Sequence, residues 1–100
     1  MSAPKLLKTA FDNAASHLYF NVGEPPKLKI EGEIRDVPDT PSLTEADTFG
    51  VMVSVTTELN QRILNEEGNV SFGFDYIGRV NASVSKEDEK VSLEMELSNT

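Results

Sequence analysis

From Asn69 onward the chain alternates apolar and polar residues with few interruptions: Val70, Phe72, Phe74 and Tyr76 form one run, Val80, Ala82 and Val84 a second, and Val91, Leu93, Met95 and Leu97 a third. Side chains on a strand point to opposite faces in turn, so a period of two describes a sheet with one face in a core and the other in water. The charged stretch Ser85 to Lys90 separates the last two runs as a turn. Three consecutive antiparallel strands, a meander, are expected here, with Phe72, Phe74 and Tyr76 on the core face.

The first half of the chain has to cover that face. Leu6, Leu7, Ala10, Phe11 and Ala14 recur at three- and four-residue spacing within residues 1–17, which predicts a short helix with one apolar side. His17 to Val22 reads as a strand that stops at the turn cluster Gly23-Glu24-Pro25-Pro26. Lys27 to Val37 alternates Leu28, Ile30, Gly32 and Ile34 with charged neighbours, as one bent strand or a hairpin around Gly32. After the loop 38–42, Ser42-Leu43-Thr44-Glu45 fits a capping box. A helix is expected from Leu43, with Ala46, Phe49, Met52 and Val53 on its apolar face and a break near residue 55, where β-branched residues cluster. A second helix, Thr57 to Glu66, would bury Leu59, Ile63 and Leu64, and Gly68 would cap it. The order of helix, two or three strands, two helices and three strands predicts an α+β domain over residues 1–100. Its antiparallel sheet would have about five to six strands and helices gathered on one face.

Composition removes whole classes of function. The 100 residues contain no cysteine, which excludes disulfides, thiolate-bound zinc and thiol nucleophiles, and one histidine, His17, which excludes a multi-histidine metal site. The carboxylates Glu87, Asp88, Glu89, Glu94 and Glu96 lack the spacing of a calcium loop, so no metal or other cofactor is expected. Ser16 beside His17 lacks a visible orienting acid, and no catalytic residue is assigned. No Gly-x-x-x-x-Gly-Lys-Ser/Thr occurs to cradle a nucleotide phosphate. With neither a signal-peptide pattern nor an apolar stretch of membrane-spanning length, the expected location is the cytoplasm.

The net charge is −8, and it is uneven: residues 1–36 balance five basic against five acidic side chains, whereas residues 37–100 carry four against twelve. Such a field repels nucleic acid and anionic membranes and favours a basic protein partner.

Two motifs carry a resemblance. The stretch Ala15-Ser16-His17-Leu18-Tyr19-Phe20-Asn21-Val22-Gly23-Glu24-Pro25-Pro26 and the strand that follows it resemble the opening of the type IV pilus retraction and type II secretion ATPases. Val70-Ser71-Phe72 and Gly78-Arg79-Val80-Asn81-Ala82 are similar to two later strands of the same N-terminal domain. The resemblance implies a PAS-like fold and a surface that packs against the nucleotide-binding domain of a neighbouring subunit. His17 and Tyr19 stand where the family has Asp and His. Leu93-Glu94-Met95-Glu96-Leu97 lacks the arginine the family commonly places on its last strand, which leaves Arg79 as the candidate contact to phosphate across a subunit boundary. The resulting expectation is a non-catalytic adaptor or regulator that docks on a pilus or secretion ATPase through a sheet edge, the turn residues Gly23, Pro25 and Pro26, and Arg79. A fragment of a full-length ATPase fits the same residues. A PAS-like small-molecule sensor would instead need a cavity lined by Phe72, Phe74 and Val84, and a self-associating subunit would use Val91 to Leu97 as an open strand edge.

Overall fold

The computed structural model describes residues 3–98. Helix α1 (Ala3–Asp12) leads into β1 (His17–Phe20), β2 (Lys27–Ile30) and β3 (Glu33–Asp36). Helices α2 (Glu45–Val55) and α3 (Glu58–Glu67) follow, then β4 (Asn69–Asp75), β5 (Arg79–Glu87) and β6 (Lys90–Ser98). The strands form one antiparallel sheet in the order β3-β2-β1-β6-β5-β4. The fold is therefore the α+β, PAS-like class that the sequence predicts.

The alternation lands as expected along β5 and β6: Val80, Ala82, Val84, Val91, Leu93, Met95 and Leu97 are all buried. They join Leu18, Phe20 and Leu28 with Leu6, Leu7, Ala10 and Phe11 of α1, Val51 and Met52 of α2, and Leu64 of α3 in one core. Phe72 and Phe74 are half-buried against it, while Tyr76 lies beyond the end of β4 and is exposed. The opposite face carries His17, Tyr19, Asn81, Ser83, Glu94 and Glu96 and remains open.

Local chemistry sets the boundaries. Helix α1 ends early because Ala14 adopts a left-handed conformation (φ 53°), which turns it out to solvent and points Ala15 into the core instead. Between β2 and β3 the chain reverses at Glu31-Gly32, both with positive φ, so residues 27–37 make a hairpin. At α2 the cap is Thr44 rather than Ser42. The Thr44 hydroxyl accepts from the Asp47 N–H (3.1 Å), and the Asp47 carboxylate accepts from the Thr44 N–H (2.9 Å). Leu43 cannot be helical because it is an extended bridge residue paired with Val22. Helix α2 stops at Thr56, α3 starts at its own capping box of Thr57 and Asn60, and Gly68 (φ 83°) closes α3 by donating its N–H to the Leu64 carbonyl (2.8 Å).

Other readings fail as well. Phe49 and Val53, assigned to the inner face of α2, point outward, and the inner face is Thr48, Val51 and Met52. Leu59 of α3 is exposed, leaving Leu64 as that helix's one fully buried side chain. The run Val91 to Leu97 is not a sheet edge: β6 lies between β1 and β5, and the free edges are β3 and β4.

Candidate functional site

The turn after β1 is a structural corner as well as a surface. Gly23 takes φ 88°, a conformation that side chains disfavour, and donates its N–H to the Leu43 carbonyl (2.8 Å). Leu43 donates back to the Glu24 carbonyl (2.9 Å), and Val37 donates to the Pro26 carbonyl (2.8 Å). The corner thus clasps both the start of β2 and the loop leading to α2. Pro26 is fully buried and Pro25 half-buried, so what the turn offers a partner is Gly23, Glu24 and one side of Pro25. The expectation that Pro26 is a contact residue fails on burial.

Arg79 opens β5 on the uncovered face of the sheet, and its guanidinium crosses to β4 and lies over Gly73. A β-carbon at Gly73 would collide with that guanidinium and would sit 3.0 Å from Asn81 Oδ1, so the missing side chain makes the berth. Nη1 lies 3.5 Å from Asp75 Oδ1, and the arginine remains about half exposed. It keeps donors free for a carboxylate or a phosphate. The sheet order and register separate it from the Gly23–Pro26 corner by three strand spacings and at least five residues along the strands, on the order of 20 Å. The sequence-predicted contact residues therefore lie at two separate places rather than in one site.

Between them the open face gathers side chains that the sequence left apart. Register places His17 opposite Glu96, Glu96 opposite Asn81, Tyr19 opposite Glu94, and Glu94 opposite Ser83. His17, Asn81, Ser83, Glu94 and Glu96 line a shallow polar depression of about 240 Å³. The His17 and Tyr19 rings stack with centroids 5.8 Å apart. Burial, reinforced by the nearby Glu94 carboxylate, pushes the Tyr19 phenol up. Ser16 Oγ lies 2.9 Å from His17 Nδ1, and Glu96 stands 4.0 Å from Nε2. The Ser16 N–H is already spent on the Lys29 carbonyl (2.8 Å), and its hydroxyl also donates to that carbonyl (3.3 Å). Beside this depression, Lys27 bonds Asp36 (2.5 Å), and this hydrogen bond, more than the neighbouring charges, holds the ammonium above its ordinary range.

An exposed apolar stripe lies where the sequence predicts core. On the outer side of α2, Ala46, Phe49, Gly50 and Val53 fall at i, i+3, i+4 and i+7, and all four are exposed. Phe49 keeps 53% of its surface in water. The signal available was that no charged residue occurs from Thr48 to Val55, so this helix is apolar on more than the side that packs inward. Among the described residues no group of histidine, cysteine and carboxylate side chains is arranged to hold a metal ion.

The described residues thus form an α+β fold with an open polar sheet face and an exposed apolar stripe on the outer side of α2. Comparison with known proteins narrows it. No family model and no curated protein matches the chain. Among solved structures, the crystal structure of the pilus retraction motor PilT with bound ADP matches 96% of this chain at 31% identity, with a TM-score of 0.87. The Legionella pneumophila ATPase DotB matches 96% at 13% identity with a TM-score of 0.77, a likeness of fold alone. In both cases the chain spans 29% of the length of the solved chain. The part matched fits the N-terminal domain of the pilus and secretion ATPases, as the Gly23–Pro26 and Arg79–Asn81 motifs imply.

Proposed function

We propose that this chain is a non-catalytic, protein-binding module of the pilus and secretion ATPase system, acting in the cytoplasm by docking on an ATPase subunit. The observation that carries the reading is the likeness to the retraction motor over nearly the whole chain, at 31% identity. A domain that keeps the shape of one partner in a multidomain machine can occupy that partner's place without supplying its chemistry. The exposed stripe Ala46, Phe49, Gly50 and Val53 supports a protein contact, because a cluster of outward apolar side chains on one helix gains nothing in water. The acidic balance supports a basic partner surface and argues against nucleic acid and anionic membrane. No helix among the described residues is long and apolar enough to cross a membrane.

The test is binding to a purified pilus retraction ATPase at low and moderate salt, with ATP turnover followed in parallel. The expected result is saturable binding that Phe49→Ala weakens by about tenfold, the cost of losing one interface anchor. Arg79→Glu should weaken it further at low salt than at high. No binding at either salt would sink the docking reading.

A second reading, that these residues are one segment of a longer ATPase, is favoured by the 29% coverage of the solved chains. An immunoblot of source cells separates the two by the mass of the native polypeptide. The sensor reading receives less support: Phe72 and Phe74 stack on each other at 6.2 Å and pack on the core, and Val84 is buried, so its three lining side chains are occupied with packing.

A further inference from the structure

The two free edges of the sheet are built differently. Strand β3 has four residues, all exposed, of which Glu33, Arg35 and Asp36 are charged. A short, charged edge of this kind repels addition. Strand β4 has seven residues, contains neither Lys nor Pro, pairs with β5 without a bulge, and carries one charge, Asp75.

Its backbone is also available. Lys86 donates its N–H to the Gly68 carbonyl and Tyr76 donates to Gly78, which fixes the alternation along the β4–β5 ladder. The backbone groups of Val70, Phe72 and Phe74 therefore face β5, and those of Ser71 and Gly73 face the free edge. On the helix side of that edge Phe72 and Phe74 are half-buried, an incomplete apolar rim.

We propose that two copies of this chain associate through β4, antiparallel and centred on Phe72, joining their six-stranded sheets into one continuous sheet. The sequence of β4 is self-complementary in this register. On the helix side Val70 stands opposite Phe74 of the second copy, and Phe72 stands opposite its own counterpart. On the open face Ser71 meets Gly73, and Asp75 meets neutral Asn69. No like charges oppose each other, and Asp75 already faces Arg79 in its own chain. Ser71 and Gly73 gain backbone partners, and the aromatic rim is covered from both sides. The net charge of −8 on each copy opposes association at long range, so added salt strengthens the dimer.

Sedimentation equilibrium of the full chain over a range of concentration and salt tests this. The mass should rise from 11.0 kDa toward twice that value, and at lower concentration when salt is added. Ser71→Pro removes an N–H that faces the free edge and not β5, so it should keep the circular dichroism of the native chain and stay monomeric. Asn69→Lys, placed opposite Asp75 of the second copy, should tighten association several-fold, and Asn69→Asp should weaken it. Glu33→Gln on the far edge changes net charge as much as Asn69→Lys does and should change association far less. A mass of 11.0 kDa under all conditions overturns the proposal. So does a dimer that survives in folded Ser71→Pro, or an equal response to Glu33→Gln and Asn69→Lys. Should Ser71→Pro unfold, the two Asn69 variants decide the question in the same way.

Discussion

Replacing Leu64 with alanine should detach α3 from the sheet, and the same change at Leu59 should do almost nothing. Leu64 is 1% exposed and is the one fully buried side chain of a ten-residue helix, whereas Leu59, in the first turn, is 60% exposed. Leucine to alanine removes three carbons, worth about 2.4 kcal/mol at about 0.8 kcal/mol per buried carbon group. The unfilled volume raises this to about 3 kcal/mol, inside the range of about 2 to 5 kcal/mol seen for such truncations. For a domain of this size each kcal/mol lowers the melting temperature by about 4–8 °C, so Leu64→Ala should melt about 12–24 °C below the native chain. Leu59→Ala should melt within a few degrees of it. Thermal unfolding followed by circular dichroism reads both variants, and hydrogen exchange shows whether the α3 amides open ahead of the sheet. Equal losses for the two variants would refute the reasoning, since they would mean that α3 is held by its whole apolar content and not by one anchor.

Gly68→Ala should cost about 1 kcal/mol, because φ 83° at the end of α3 burdens any side chain; urea unfolding measures it. Hydrogen bonds from the backbone and side chain of Thr44 hold the Asp47 carboxyl below its ordinary range. A depressed folded pKa gives stability that is present above the unfolded value near 3.8 and is lost as pH falls through the folded one. Asp47→Asn should therefore flatten the stability profile below that value while leaving the neutral plateau little changed beyond the altered cap, as acid titration of the unfolding midpoint would show. Gly73→Ala should leave stability within about 0.5 kcal/mol of the native chain, because the colliding atoms belong to the flexible end of Arg79. The same change should displace the guanidinium from Asp75, visible as an altered Arg79 side-chain signal in NMR.

The strands of the second half were legible because one property, a period of two, recurs over Val80 to Leu97 and is stronger than any competing pattern. The helices were legible where a local signal had one interpretation, as with Gly68 after Glu66-Glu67. Helix α2 was not, because Ser42-x-x-Glu45 and Thr44-x-x-Asp47 both read as capping boxes. Only the long-range bridge between Val22 and Leu43, which keeps Leu43 extended, selects the second. Its buried face was misread for a related reason. With Ala46, Phe49, Val51, Met52, Val53 and Val55 distributed around the axis, periodicity gives no unique inner side, and packing against β6 and α1 chooses Val51 and Met52. The free edges were illegible in principle, since alternation is the same on an interior strand as on an edge one. Strand order follows from β1 inserting between β2 and β6, where Leu18 and Phe20 disappear completely from solvent.

The candidate site changes accordingly. The Gly23–Pro26 turn and Arg79 read as contact residues in the sequence because turns and isolated charges are not needed for packing, yet much of each is committed to the fold. Pro26 is sealed in the interior, Gly23 supplies a backbone angle and a bond to Leu43, and Arg79 rests on Gly73 with Asp75 as its counter-charge. A motif shared for reasons of architecture marks kinship without marking the interface. The residues free to meet a partner are the ones whose chemistry the domain itself does not use. Phe49 and Val53 each leave about half of their surface in water, and a β-carbon added at Gly50 between them would meet no atom within 4 Å. A glycine inside a helix costs about 1 kcal/mol relative to alanine. Among the described residues no atom crowds Gly50, which leaves room for close approach by another chain and supports the proposed docking contact on α2.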